Sequence, residues 1–172
     1  MLKKMVIFIS SLLIGIFIIG CASTSIAPQK HIAVANPIQK MSISVGHGAF
    51  NNGNPVAAYA VNETIQDIMP RIKETLPIVF QKNGIEIINT PEQYEFVLIP
   101  TTAKYISYGG HVEVNMKAII RDKVNNSNVW EANMRFWRPG FSKVDVYVAE
   151  KFVQTIIDQL KQDGMIIVKD QK

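Results

Sequence analysis

The stretch VEVNMKAIIRDKVNNSNVWEANMRFW, residues 112–137, decides the fold. In its first half, apolar residues occupy every second position from Val112 to Ile120 and alternate mostly with polar ones. In its second half, the alternating apolar residues are Trp130, Ala132, Met134 and Phe136. Because successive side chains of a strand point to opposite faces, this period of two predicts strands with one apolar face each. The polar turn 123–128 predicts that the two strands form a hairpin.

More strands are predicted on the N-terminal side of this hairpin. Residues 41–45 alternate apolar and polar side chains, and residues 85–88 form a short, mostly apolar run. A longer strand segment is predicted from Phe96 to Tyr108, with a bend at Pro100. Gly109-Gly110 then predicts a tight turn, because glycine readily adopts a positive φ.

Two segments carry apolar residues at the spacing of a helix. In the first they lie three or four positions apart from Ile65 to Phe80, and in the second from Ala149 to Leu160. Pro70 and Pro77 lie inside the first segment, and each removes a backbone donor and clashes with the preceding turn. We therefore expect a kink or two shorter helices there.

The predicted elements follow one another in the order β-α-β-β-β-β-α. Each helix has one apolar stripe, and the central strands have one apolar face. A layer of helices packed on one sheet buries the apolar stripes against the apolar face. We therefore predict an α+β fold. Its sheet is antiparallel or mixed, has about four to five strands, and carries both helices on one face.

The first twenty residues differ in composition from the rest of the chain. Lys3 and Lys4 form a short positive region, and residues 5–20 are an apolar run interrupted only by two serines. A helix of this length rises about 24 Å, which is shorter than a hydrocarbon core of about 30 Å. Residues 1–20 are therefore predicted to be a signal peptide rather than a membrane span.

The apolar run ends in Ile18-Ile19-Gly20-Cys21, which resembles the lipobox of bacterial lipoproteins. The resemblance implies that a peptidase cleaves after the small Gly20 and that the Cys21 thiol takes up diacylglycerol. Acyl chains such as palmitate then hold the protein at the membrane. Ala22 and Ser23 stand where an aspartate retains Gram-negative lipoproteins at the inner membrane, so the resemblance favours the outer membrane, facing the periplasm. The alternative is an uncleaved N-terminal anchor, in which Cys21 is only a small apolar residue.

These features divide the chain into a signal peptide over 1–20, a lipidated cysteine with a flexible tether over 21–39, and one α+β domain over 40–172. The tether is predicted because the segment after Cys21 is mostly small and polar. Pro28 and Pro37 also oppose regular structure there.

Charge and composition exclude several functions. The net charge is +4, of which Lys3 and Lys4 supply two positive charges. No basic stripe or RNA-binding signature accompanies that charge, so no nucleic-acid partner is expected. A single cysteine excludes an internal disulfide. His31, His47 and His111 are not at metal-ligand spacing, so we predict neither a metal site nor a cofactor.

No sequence motif indicates catalysis. The glycine-rich segment 46–55 lacks the Gly-Lys-Ser or Gly-Lys-Thr ending of a phosphate-binding loop, and no Gly-x-Ser-x-Gly elbow is present. Glu113 and Glu131 are predicted to share a face of neighbouring strands, as solvated surface groups rather than a glycosidase pair. An acylated Cys21 cannot act as a nucleophile. We therefore expect a protein that is not an enzyme.

The order of elements resembles the small α/β domain shared by the TolB N-terminal domain and the lipoprotein activators of penicillin-binding proteins. The residues that carry the resemblance are Gln81-Lys82-Asn83-Gly84-Ile85, the Gly109-Gly110 hairpin and Asp163-Gly164-Met165-Ile166. It covers roughly residues 40–168. The resemblance implies no catalytic motif, and a protein that acts by contacting other envelope components.

Three residues are candidates for partner contacts: Phe50, Trp137 and Arg138. Alternation places Phe136 on the core face, so we expect Trp137 and Arg138 to point elsewhere at the end of the sheet. Trp and Arg are enriched at binding hot spots. The alternative for Trp137 is packing against the loop at Phe141.

The sequence as a whole predicts a membrane-anchored, non-catalytic envelope lipoprotein. Its predicted partner is another envelope protein or a cell-wall component. An alternative is a binding module for a small hydrophobic or glycan ligand in a cleft between helices and sheet. Hydrolysis is the third and weakest alternative.

Overall fold

The computed structural model describes residues 22–48, 55–90, 93–108, 110–139 and 146–167. Within these residues the elements follow the order β-β-α-β-β-β-β-α. The strands are β1 (Ser23–His31), β2 (Lys40–Val45), β3 (Glu86–Ile87), β4 (Tyr94–Ile106), β5 (His111–Asp122) and β6 (Ser127–Pro139). The helices are α1 (Pro55–Lys82) and α2 (Val146–Gln162). The predicted α+β fold is confirmed, with one strand more at its N-terminal side.

The sheet is mixed and has the strand order β1-β6-β5-β4-β2-β3. Strands β4, β5 and β6 form an antiparallel meander, and β1 pairs antiparallel with β6. Strand β2 pairs parallel with both β4 and β3. The described sheet thus has six strands, and the predicted number of four to five is wrong.

The additional strand is β1, so the prediction of a flexible tether over 21–39 is wrong for Ser23–His31. Ser23 to His31 pair with Trp137 to Trp130 of β6. Strand β1 lies at the edge of the sheet, where a few inward side chains, Ala22 and Ile26 among them, pack against the core. Such a strand needs no long apolar pattern, because main-chain hydrogen bonds hold it. The folded domain therefore begins near residue 22 rather than at residue 40.

Helix α1 runs without interruption from Pro55 to Lys82, although Pro70 and Pro77 lie inside it. The prediction of two shorter helices is therefore wrong. Each proline deprives the carbonyl four residues earlier of its helical donor. Those carbonyls belong to Gln66 and Lys73, which are both exposed, so water can satisfy them.

The core lies between the sheet and the two helices, which pack on the same face. Phe96 of β4 contacts Phe80 of α1 at 5.1 Å between ring centroids. Phe136 of β6 contacts Phe152 of α2 at 6.2 Å. Trp130 is fully buried, and its Nε1 donates a hydrogen bond of 2.7 Å to Asp163 just after α2. The predicted core face of β6 is confirmed.

The same contacts establish the direction of each helix. Strands β2, β4 and β6 run one way, and Trp130 at the start of β6 meets Asp163 after the end of α2. Arg138 at the end of β6 contacts Thr64 and Asp67 in the first half of α1. Both helices therefore run antiparallel to these strands. The ends of β2, β4 and β6 and the starts of β1, α1 and α2 meet at one edge of the domain, which we call the Ser23 end.

Candidate binding surface

The predicted functional residues divide into those that the structure describes and those that it does not. Ile18, Ile19, Gly20 and Cys21 lie outside the described residues, and so does Phe50. The partner-contact candidates that the structure describes are Trp137 and Arg138, which lie next to each other in β6.

Arg138 is not a surface residue, so its prediction as a partner contact is wrong. It is 2% exposed, because it shares the helix-covered face with Phe136 two positions earlier. Its Nε and Nη2 donate to the Thr64 hydroxyl at 3.1 and 3.0 Å, and its Nη1 lies 3.1 Å from Asp67 Oδ2. Burial lowers the pKa of Arg138, and the charge of Asp67 opposes that shift. This ion pair ties α1 to the end of β6.

Trp137 points to the other side of the sheet, as predicted for it. Its ring lies 4.9 Å from that of His111. With Ser23, Ser25 and Arg135 it lines an open depression of about 320 Å³. The alternative packing partner, Phe141, lies outside the described residues.

The sheet face opposite the helices, which we call the outer face, carries ion pairs across its strands. Glu113 of β5 is 5% exposed and contacts Lys104 Nζ at 3.1 Å and Arg135. Glu131 of β6 contacts Lys117. These glutamates share one face, as predicted, but each is held between neighbours rather than solvated.

Glu95 of β4 forms a similar cluster further along the outer face. Its Oε1 accepts a hydrogen bond of 3.0 Å from Ser44 on β2. Its Oε2 lies 3.2 Å from Lys123 Nζ and 3.8 Å from Arg121 Nη1. Glu113 and Glu95 are therefore each paired with two cations on this face.

The outer face presents mostly its cations to solvent. The carboxylates of Glu95, Glu113 and Glu131 are 6–16% exposed, and the cationic groups around them are 37–57% exposed. The cations are Lys104, Lys117, Arg121, Lys123 and Arg135. Five positive charges against three recessed negative ones give this surface a positive potential, which favours an anionic partner.

Two shallow depressions adjoin on this face. The one beside Trp137 and a second of about 380 Å³ share Ser25 and Arg135 in their linings. The second is also lined by the side-chain amides of Asn115 and Asn133. The lining therefore combines hydrogen-bonding groups with apolar atoms of Met116 and Met134, and it has one aromatic ring at the Ser23 end.

Burial and ion pairing shift the pKa values of the outer-face carboxylates in opposite directions. Burial alone would raise the pKa of Glu113, but hydrogen bonds from Lys104 and Asn115 and the charge of Arg135 hold it below its ordinary value. Hydrogen bonds from Lys117 and Asn128 lower the pKa of Glu131. Both groups are therefore ionised at neutral pH, and neither has the raised pKa of a general acid.

Glu131→Gln is expected to reduce the loss of stability on acidification. Because the folded-state pKa of Glu131 is lowered, its stabilising contribution is present above the unfolded-state pKa of about 4.3. That contribution is lost as the pH falls through the folded-state pKa. Urea unfolding between about pH 7 and about pH 3 should show a shallower decline for the variant than for the wild type.

The matched control is Glu86→Gln on the exposed side of β3, which removes a carboxylate without touching the pair of Glu131 and Lys117. A Glu131→Gln variant whose stability falls as steeply as that of the wild type would contradict the assigned ion pair.

Histidines and acidic groups do not form a metal site in the part of the chain that the structure describes. His111 begins β5 at the Ser23 end, whereas His31 ends β1 at the opposite end. His47 follows β2 and is exposed. Among the described residues, neither helix has the length and apolar character needed to cross a bilayer.

Comparisons with known proteins give a likeness in fold. No protein-family model matches the sequence, and no curated protein matches it either. The structure is similar to a variant of PelC from Paraburkholderia phytofirmans, described as a dodecamer, with 15% identity over 80% of this chain and 97% of that one and a TM-score of 0.50. A PDZ domain protein from Parabacteroides distasonis aligns at 10% identity and a TM-score of 0.40 over 83% of this chain and 37% of that one. At such identities a likeness concerns the fold and not the activity.

The outer-face clusters could not be read from the sequence. Alternation along β5 and β6 places Glu113, Lys117 and Glu131 towards one face, which is a local property. Which cation meets which carboxylate depends on the register between strands, and the irregularity between Pro100 and Thr102 shifts that register.

Proposed function

We propose that this chain is a lipid-anchored envelope protein that acts without catalysis, by binding an acidic envelope protein on its outer face. The observation that carries the proposal is the outer face itself, on which solvent-exposed lysines and arginines surround recessed carboxylates. Electrostatic complementarity of this kind steers association and selects partners. The recessed carboxylates hold the cations in place, so the surface is organised before a partner arrives.

The anchor is the second part of the proposal. The lipobox-like Ile18-Ile19-Gly20-Cys21 supports lipid attachment to Cys21, and the outer membrane is the proposed location. Each buried methylene of an acyl chain contributes about 0.8 kcal/mol, so several chains on one cysteine hold a protein firmly at a bilayer.

Cys21→Ala is expected to abolish incorporation of labelled palmitate and to leave the signal peptide attached. The reason is that diacylglycerol is transferred to the thiol before the peptidase cleaves. Lipid labelling and the intact mass of the protein measure both effects, with Ser23→Ala as the matched control. Unchanged labelling and mass in Cys21→Ala would overturn the proposed anchor.

Lys104→Gln combined with Lys123→Gln is expected to reduce partner recovery by about five- to tenfold, from charge complementarity lost at two sites. Each substitution leaves a cation beside its carboxylate, because Glu113 keeps Arg135 and Glu95 keeps Arg121. The fold should therefore persist, since exposed ion pairs contribute about 0–1 kcal/mol each. Crosslinking in intact envelopes at native abundance, followed by mass spectrometry, measures the recovery.

The matched control removes the same charge from the helix side of the domain. Lys73 and Lys151 are exposed on α1 and α2, and Lys73→Gln with Lys151→Gln should leave recovery unchanged. Equal recovery from both double variants, or recovery insensitive to salt, would refute binding through the outer face.

A glycan ligand is the second candidate function. The adjoining depressions at Ser25 and Arg135 combine amide, hydroxyl and guanidinium groups with the ring of Trp137. Such a lining offers hydrogen bonds and an apolar ring to a sugar. The same crosslinking experiment distinguishes the two candidates, because it would recover glycan in place of protein.

A further inference from the structure

The partly or fully exposed aromatic residues are unevenly distributed over the domain. Among the described residues they are Tyr59, Tyr94, Tyr105, Tyr108, Trp137 and Tyr147. Tyr94 begins β4 and lies at the end remote from Ser23, whereas the other five lie at the Ser23 end. This end therefore carries nearly all of the aromatic surface.

Each of the five reaches the Ser23 end through the topology of the fold. Trp137 lies at the end of β6, Tyr105 at the end of β4, and Tyr108 in the turn that follows β4. Tyr59 lies in the second turn of α1 and Tyr147 in the first turn of α2. Four separate segments thus bring these five rings to one edge.

Three of these five rings are largely exposed to solvent. Tyr108 is 95% exposed, and Tyr59 and Tyr147 are 67% and 68% exposed. Exposed aliphatic residues occur at both ends, with Val146 at the Ser23 end and Ile78 in the last turns of α1. The aromatic rings are what distinguish the Ser23 end.

The site of proposed lipid attachment lies at the same edge. Ser23 is the Cα partner of Trp137, and Cys21 precedes Ser23 by two residues. Two residues of extended chain reach about 7 Å, so acyl chains on Cys21 would enter a bilayer beside Trp137. Because β1 begins at once, no spacer allows the domain to stand away from the lipid.

From this juxtaposition we propose that the Ser23 end docks on the lipid bilayer, with its tyrosines and Trp137 at the depth of the headgroups. Tyrosine and tryptophan favour that depth, because their rings are apolar while their hydroxyl or indole N–H remains hydrated. The strands then rise from the membrane, and the part of the outer face around Glu131 and Glu95 stands clear of the lipid for a partner. This inference builds on the proposed lipidation of Cys21.

A fluorescent probe at each end of the domain tests this orientation. Cys21 carries its lipid on sulfur, so an introduced cysteine is the free thiol available for an environment-sensitive dye. Tyr108→Cys places the dye at the Ser23 end, and Asn125→Cys places it in the exposed turn between β5 and β6. The full-length lipidated protein is incorporated into vesicles of phosphatidylethanolamine and phosphatidylglycerol, and its mass confirms the lipid.

We expect a blue-shifted emission for the dye at position 108 and quenching by lipids with brominated acyl chains, and an aqueous spectrum for the dye at position 125. The native tryptophans provide a second readout, because Trp130 is fully buried and Trp137 is partly exposed. Brominated lipids should quench part of the wild-type tryptophan emission, and Trp137→Phe should remove that quenchable part.

The outcomes separate the docking surface from the anchor. A lipidated protein with the same aqueous spectrum at both positions and no quenching of Trp137 overturns the docking surface and leaves the anchor intact. A mass that shows no lipid on Cys21 overturns both, because the orientation starts from that attachment.

Discussion

Trp130→Ala is expected to lower the free energy of unfolding by about 4 kcal/mol. The indole is fully buried among core residues of the sheet and α2, and its removal leaves a large cavity. It also removes the hydrogen bond of 2.7 Å from Nε1 to Asp163, which joins the start of β6 to the segment after α2. At about 3 °C per kcal/mol, the melting temperature should fall by about 12 °C.

Thermal and urea unfolding of the purified protein measure this loss. The matched control is Trp137→Ala, which removes the same side chain from the outer face, where it is partly exposed; it should lower stability by about 1 kcal/mol. Trp130→Phe should give an intermediate loss, because the ring fills most of the space but cannot donate to Asp163. Equal losses for the two alanine variants would contradict the assignment of Trp130 to the core.

Asp67→Ala is expected to destabilise the protein by about 3 kcal/mol. The change leaves the Arg138 guanidinium buried at 3% side-chain exposure without the carboxylate that lies 3.1 Å from it. A buried charge that loses its nearest counter-ion costs more than the ion pair contributes, because the desolvation of the guanidinium is then less well compensated. The substitution should therefore loosen α1 from the end of β6.

Arg138→Met in the Asp67→Ala background provides the decisive comparison for this ion pair. Removing the guanidinium as well should recover much of the lost stability, since a buried ion pair and an apolar replacement are often nearly equivalent. Asp158→Ala is the control, because its exposed contact with Lys161 contributes about 0.5 kcal/mol or less. If Asp67→Ala costs no more than Asp158→Ala, the buried charge is not where the structure places it.

Several elements could be predicted because their signals are local. The alternation from Val112 to Ile120 and from Trp130 to Phe136 identified β5 and β6, together with the side of each that is buried. The apolar stripe from Ala149 to Leu160 identified α2. Such a period can be recognised in the sequence because one face of each element is buried away from water when the protein folds.

Other features could not be predicted because their causes lie outside the segment concerned. Strand β1 has little apolar pattern and gains its conformation from pairing with β6, so the same residues looked like a tether. Arginine side chains are usually exposed, so Arg138 was expected at the surface. Thr64 and Asp67 on α1 supply the hydrogen-bond and ion-pair partners that permit its burial.

For this protein the sequence by itself determined the α+β class, the core faces of β5 and β6, and the lipobox-like segment that ends at Cys21. Only the tertiary structure decided that β1 follows that segment directly, that Arg138 is buried, and that cations of three strands surround recessed carboxylates. The physical reason is that burial of one face of a helix or strand produces a periodic pattern of apolar residues within the segment itself. Strand register, ion pairing and the gathering of aromatic rings at one end depend on contacts between segments far apart in the chain.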